Sequence, residues 1–187
     1  MSHIEYEVRV LEINKEEIIE RLKELKATLV SDSLQRRYVY DLKPVDPNRW
    51  IRLRTNGTKT TLAIKQLESA KINGTKEMEI EVSDFKATNE ILNTLGYKAR
   101  GIQENYRMKY DLNGVEVDID TWPKISTYLE IEGKSEDEVY KTLDLLKIDR
   151  ARATSLDVLS IYEQIYHIPD ANKNLSFEDS ENCDKIK

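Results

Sequence analysis

The sequence predicts an α+β domain: an eight-stranded antiparallel β-barrel, or tunnel, with amphipathic helices packed outside. Three observations point there. Apolar and polar residues alternate at period two in eight separate segments, the mark of strands with two different faces. Two pairs of these segments are joined by Asn-Gly, the strongest short hairpin signal, so neighbours run antiparallel. The polar faces are charged in both signs, and eight strands is about the number at which a closed barrel encloses side chains or one small ligand.

Taken in order, residues 3–12 read as the first strand. Asn14 then caps a helix, with Glu17 completing a capping-box-like pair and Ile18, Ile19, Leu22, Leu25 and Leu29 forming the stripe to about residue 29. A second strand over 33–42 stops at the loop holding Pro44 and Pro47, which a strand would not tolerate. Segments 49–54 and 60–67 flank the Asn56-Gly57 turn, residues 69–75 read as a polar loop, and 76–82 is the next strand. Asp84 opens a second helix with Phe85, Ile91, Leu92 and Leu95 on its stripe, and Gly96 stops it. Strands at 102–112 and 115–121 surround Asn113-Gly114, and a turn with Pro123 leads to a strand at 128–133. Ser135 and Glu138 open a third helix through about Leu146, and a last helix is expected over 154–166. Residues 1–168 form the domain; 169–187 are rich in Asn, Asp, Ser and Lys and read as a disordered tail. The lack of regular strand–helix alternation disfavours a parallel sheet.

The chain has 187 residues, 39% hydrophobic and 34% charged, the latter above the usual quarter. A net charge of −6 argues against general nucleic-acid binding. The single cysteine, Cys183, excludes an internal disulfide and a cysteine metal site; His3 and His167, near opposite ends, disfavour a histidine triad or zinc site. No signal peptide or membrane-length apolar run is present, so the expected location is the cytoplasm.

The charged faces carry the chemistry. Glu5, Glu7 and Arg9 share one face of the first strand, opposite Tyr6, Val8 and Val10. Later strands add Gln35 and Arg37, Arg52 and Arg54, Lys65, then Glu77, Glu79 and Glu81. Arg107 and Lys109, Glu116, Asp118 and Asp120, and Glu130 and Glu132 complete the set. Any one segment would pass for an ordinary solvated strand face; the repetition in eight does not. If the apolar faces lie under helices, these charges point inward, where an isolated ion costs several kcal/mol even after relaxation. Oxygen-only carboxylate clusters suit Mg2+ or Mn2+, and grouped Arg and Lys suit phosphate oxygens. A metal-bound polyphosphate satisfies both. On this reading Glu5, Glu7, Glu79, Glu81, Asp118, Asp120, Glu130 and Glu132 are the candidate metal ligands; Glu79 and Glu81 serve equally well as partners that fix arginine orientation, and the spacing to Glu130 favours Asp120 over Asp118. Arg9, Arg37, Arg52, Arg54, Lys65, Arg107 and Lys109 are the candidate substrate ligands. Glu77, near a strand end, is expected to face solvent, and Trp122-Pro123 to form a turn at the barrel rim.

These residues resemble the CYTH family, the triphosphate tunnel metalloenzymes that include class IV adenylate cyclases and thiamine triphosphatases. The family motif Glu-x-Glu-x-Lys appears as Glu5-Tyr6-Glu7-Val8-Arg9. The likeness continues through Arg52-Leu53-Arg54, Lys65, Glu79-Ile80-Glu81, Arg107-Met108-Lys109, Asp120 and Glu130-Ile131-Glu132, across residues 3–166. It implies that Glu5, Glu7, Asp120, Glu130 and Glu132 hold catalytic metal, and that Arg9, Arg52, Arg54, Lys65 and Arg107 grip the triphosphate. Catalysis would centre on Glu5, Glu7 and Arg9. Two residues depart from the pattern: Arg9 replaces lysine, and Asn105 stands where many members are basic. The expected activity is metal-dependent hydrolysis of a small-molecule triphosphate. A class IV cyclase making cyclic AMP and pyrophosphate from ATP is the second reading, and a non-catalytic nucleotide or polyphosphate binder the third. The family resemblance also permits a homodimer.

Overall fold

The computed structural model describes residues 3–69, 71–169 and 174–177. Eight strands close on themselves: β1 (His3–Val10), β2 (Thr28–Asp41), β3 (Arg49–Thr55), β4 (Thr60–Leu67), β5 (Thr75–Val82), β6 (Ala99–Leu112), β7 (Val115–Thr121) and β8 (Tyr128–Gly133). Around the barrel the order is β5-β4-β3-β2-β6-β7-β8-β1, and a short antiparallel pairing of β1 with β5 closes the ring. A two-residue strand β9 (Ala153–Thr154) extends β1 at Arg9 and Val10.

Closure divides each strand's alternation between tunnel and exterior, and the exterior is covered by helices. The tail of β1 (Val8, Val10) and the outer faces of β6, β7 and β8 (Tyr110, Leu112, Val117, Ile119, Leu129, Ile131) form one core. Onto it pack α1 (Lys15–Glu24) through Ile18 and Leu22, and α3 (Glu136–Leu145) through Val139 and Leu143. A second core joins Tyr40, Ile51 and Leu53 to Leu92 of α2 (Phe85–Thr94). The three helix starts follow the sequence: Asn14, Asp84 and Ser135 each accept backbone N–H bonds through their side chains. Among the described residues no helix is long and apolar enough to cross a membrane.

Three expectations are corrected. The first helix ends at Glu24, not near 29, because Lys26 turns to φ 59° and the Ala27 N–H reaches back to the Leu22 carbonyl. Leu29 therefore belongs to β2, half-exposed, and β2 and β6 are both 14 residues long, longer than their alternation alone indicated. No continuous helix spans 154–166. Asp157 accepts from the N–H groups of Leu159 and Ser160 and starts a single turn, α4 (Val158–Ser160), which runs into a π-type turn, Ile161–Ile165. Part of the predicted tail is ordered: Leu175 forms a parallel bridge with Gln103 of β6. Cys183 lies outside the described residues.

Leu22 is fully buried between α1 and the barrel, so Leu22→Ala should cost about 2–5 kcal/mol in urea unfolding. A loss well under about 1 kcal/mol, below the usual range for such a truncation, would show that α1 does not close this core.

Candidate functional site

The barrel encloses a cavity of about 320 Å³. The register sorts its charges into rows. On one wall Glu132 of β8 lies between Glu7 of β1 and Glu116 of β7, and in the next row Glu130 lies between Arg9 and Asp118. On the facing wall Arg54 is paired with Arg37 of β2 and Thr61 of β4, while Trp50 is paired with Lys65, itself opposite Glu77 of β5. Directly opposed side chains on one face sit about 5 Å apart at Cβ, so like charges in a row repel. The first row holds three carboxylates.

Some of this charge is neutralised internally. Arg107 Nη1 is 2.5 Å from Asp118; its Nε and Nη2 bind Asp120 at 2.8 and 2.5 Å, and Nη2 also reaches Glu130 at 3.0 Å. Arg9 joins Glu130 (2.7 Å), Glu7 (3.2 Å) and the Leu156 carbonyl (2.9 Å). Burial opposes charge on both guanidiniums, but these carboxylates outweigh it and hold each well above its ordinary value. Burial likewise pushes Glu130 up, and Arg9 and Arg107 reverse it, leaving the carboxyl far below the usual range. Arg52 binds Glu77 at 2.7 Å and Glu79 at 2.9 Å.

Other charges are less fully partnered. Burial, then Arg54, Arg52 and Arg107, pull Arg37 down to about 9. For Arg54 it is Arg52 first, then burial and Arg107, and the value falls to about 10. Its one ion pair among the described residues is with Glu79, at 3.4 Å. On the acidic wall, burial, then Glu116, Glu7 and Glu130, push Glu132 up to about 7. Burial and a hydrogen bond with Glu77 push Glu5 up too, against Lys65. Glu5 Oε2 lies 3.1 Å from Lys65 Nζ, an ion-pair distance without hydrogen-bond geometry. The tunnel thus has cations short of anions on one side and anions short of cations on the other.

Of the residues singled out in the sequence, Glu5, Glu7, Arg9, Arg37, Arg52, Arg54, Lys65, Glu79, Arg107, Lys109, Glu130 and Glu132 line the cavity. Glu81 does not; it pairs with Lys59 at 3.2 Å and is largely exposed. Asp118 and Asp120 are fully buried behind Arg107, in the wall and not on its surface. Glu77, expected in solvent, is buried in the tunnel between Arg52 and Lys65, because β1–β5 closure covers that strand end. Three contributors were not among the candidate metal or substrate ligands. Glu116 faces the cavity with Lys109 at 2.6 Å; its parity with Asp118 marked it. Asn105, fully buried, accepts from Arg37 and donates to Asp120 at 2.8 Å. Trp122 is buried with its ring 4.6 Å beneath the Arg37 guanidinium; nothing in the local pattern separates this from a rim turn.

The residue set fits a divalent cation by its chemistry. Glu5, Glu7, Glu116 and Glu132 offer oxygen donors only, as Mg2+ or Mn2+ require. Burial raises Glu132 first; a dication beside these acids would offset the repulsion from Glu116, Glu7 and Glu130 that adds to it. Among the described residues no three acids converge at coordinating distance as placed, so binding would draw these side chains inward.

The CYTH domain model matches residues 3–168, and that extent, over the observed barrel, decides the relationship. The chain belongs to the CYTH family. Its members in solved structures agree in fold. The PH1012 protein from Pyrococcus horikoshii is 22% identical, with 82% of this chain and 96% of that one covered at a TM-score of 0.71. A protein from Vibrio parahaemolyticus described as a candidate adenylate cyclase is 10% identical, with 87% and 99% covered and a TM-score of 0.73. HpAC1 from Hippeastrum, described as having a dominant triphosphatase activity, is 16% identical, with 88% and 96% covered and a TM-score of 0.56. No curated protein matches the sequence. The names of these neighbours in fold include a candidate adenylate cyclase and a protein with triphosphatase activity.

Because folding raises the pKa of Glu132, its contribution to stability is full below the ordinary carboxylate range and is lost as pH rises through about 7. In chelator-treated protein, the Tm difference between wild type and Glu132→Gln should move against wild type as pH rises from about 5 to about 8. Mn2+ should reverse this at the higher pH. Scanning calorimetry showing no pH-dependent difference would mean that Glu116, Glu7 and burial do not raise the proton affinity of Glu132.

Proposed function

We propose that this CYTH protein hydrolyses a triphosphate, inorganic or organic, with a divalent cation held on the acidic wall. One observation carries the reading. Among the described residues Arg37 makes no ion pair, Arg54 makes only the 3.4 Å pair with Glu79, and Glu132 across the same cavity makes none; a metal–polyphosphate supplies the charge each wants. The triphosphatase activity named for HpAC1 points the same way.

In this proposal Arg54 and Arg37 bind non-bridging phosphate oxygens, where a forked guanidinium adds geometry to charge. Arg52, held by Glu77 and Glu79, faces the same oxygens without freedom to swing away. Lys65, between Glu5 and Glu77, supplies a compact charge beside them. Glu7, Glu116 and Glu132 would hold the cation, with Glu5 and Glu130 beside them. When bound, Mg2+ or Mn2+ would neutralise phosphoryl oxygens and make water a better nucleophile near neutral pH. A carboxylate of this wall that the cation leaves free would take the proton of that water. Attack at the terminal phosphorus breaks its bridge to the next phosphate, giving orthophosphate and a diphosphate.

Incubation with inorganic triphosphate and with ATP, each with Mn2+, tests this by product separation. Orthophosphate with diphosphate or ADP is expected. Cyclic AMP with pyrophosphate would make the protein a cyclase, and tight binding without turnover a binding module; either overturns the proposal. Arg54→Ala should lower kcat/KM about a hundredfold or more, the scale of losing one charge-stabilising donor. Glu7→Gln should abolish metal-dependent turnover with the circular dichroism spectrum and Tm retained. Loss of folding would assign Glu7 to structure.

A further inference from the structure

Arg37 is the least secured cation in the tunnel. It lies among Arg54, Arg52 and Arg107, and among the described residues it makes no ion pair. Its partners are the neutral Asn105 side chain and the face of Trp122, 4.6 Å from the guanidinium carbon. A cation over an indole face is favourable, more so when desolvated. That support works only while the indole is itself held. Among the described residues Trp122 Nε1 is buried with no hydrogen-bond partner, so it is their packing that fixes the ring. Tyr162 meets it edge-on at 6.5 Å between centroids, and Leu175 is buried in the same cluster.

Leu175 reaches that cluster from the far end of the sequence. β7 pairs with β6 only from Tyr106 onward, leaving the earlier part of that edge of β6 unpaired by any barrel strand. Residues 174–177 fill the gap. Leu175 N–H donates to the Ile102 carbonyl at 2.9 Å, Glu104 N–H donates to the Leu175 carbonyl at 2.8 Å, and Ile102 N–H donates to the Asn174 side chain at 3.1 Å. Glu104 accepts from Ser176 Oγ at 3.0 Å, and Phe177 packs on Tyr106 at 5.0 Å. Leu175 bridges to Gln103, itself a cavity residue paired with Arg37 in the β2–β6 register.

We propose that Leu175 is a positioning residue for the tunnel: through Trp122 it keeps the Arg37 guanidinium facing the substrate. The segment 174–177 thus supports the binding site from behind Trp122 without lining the cavity, although it lies outside the residues that the family model matches. The assignment of substrate rests on the reading above; the mechanical link from Leu175 to Trp122 does not.

Two measurements separate them. The first is acrylamide quenching of Trp122 fluorescence in ligand-free full-length protein carrying Trp50→Phe. Leu175→Ala should increase quenching, and Leu175→Met should restore it; unchanged quenching with Leu175→Ala overturns the proposal. The second is a double-mutant cycle on binding of inorganic triphosphate with Mg2+. Leu175→Ala should weaken binding about tenfold in wild type and leave the Arg37→Ala protein unchanged, as expected of residues acting through one contact. Equal weakening in both backgrounds would make Leu175 merely structural and overturn the proposal. Asn174→Ala, which loosens the segment without touching the core, should weaken binding in the same Arg37-dependent way if Leu175→Ala fails to fold. If wild type binds no triphosphate, the functional reading fails while the quenching arm still decides the positioning role.

Discussion

Like charges held opposite one another across strands are the constraint from which the rest of this tunnel follows. A residue's neighbours on an antiparallel barrel wall are set by register, and here register places Glu7, Glu132 and Glu116 side by side and Arg37 against Arg54. A domain selected for stability alone would interleave the signs. Arg107, enclosed by Asp118, Asp120 and Glu130, shows that the same wall can do so. The separation elsewhere costs folding free energy that a bound charge of the opposite sign would return. Helices outside make this tolerable, because the apolar faces packed against them provide the burial that drives closure.

Cations that looked equivalent along the strands therefore divide into two kinds. Arg9 and Arg107 are saturated by carboxylates and hold the acidic wall together. Arg37 has no carboxylate partner among the described residues and Arg54 only Glu79 at 3.4 Å, so both leave positive charge facing the cavity. The acids divide likewise: Glu130 is anchored, Glu132 is not. Residue type did not distinguish them; partners did.

Period-two alternation made the fold and the tunnel-facing parity legible, since both depend on short-range spacing. Arg37 falls on the inner face opposite Tyr38 and Tyr40, and the helix caps at Asn14, Asp84 and Ser135 lie where hydrogen-bonding side chains precede apolar stripes. What alternation does not encode is depth. Asp118 and Asp120 have inward parity yet lie behind Arg107, and Glu81 has the parity of Glu79 but ends beyond the cavity. Nor does it encode contacts made over long sequence separation. Trp122 under Arg37 and Leu175 on β6 join segments far apart in the chain, by packing that no local spacing announces.

The two departures from the family motif have a common physical reading. Arg9 binds two carboxylates and the Leu156 carbonyl, which ties β1 to the segment leading into α4; a single ammonium has no planar fork with which to span these acceptors. Asn105 accepts from Arg37 and donates to Asp120, joining a cation to an anion through a neutral amide. A basic side chain there would face Arg37 with a fourth positive neighbour besides Arg52, Arg54 and Arg107, and would have no acceptor to offer it. Arg9 thus strengthens the anchored row, and Asn105 preserves the cation on the open one. Both substitutions leave the charge imbalance across the cavity in place, which is the property a bound metal–polyphosphate would answer.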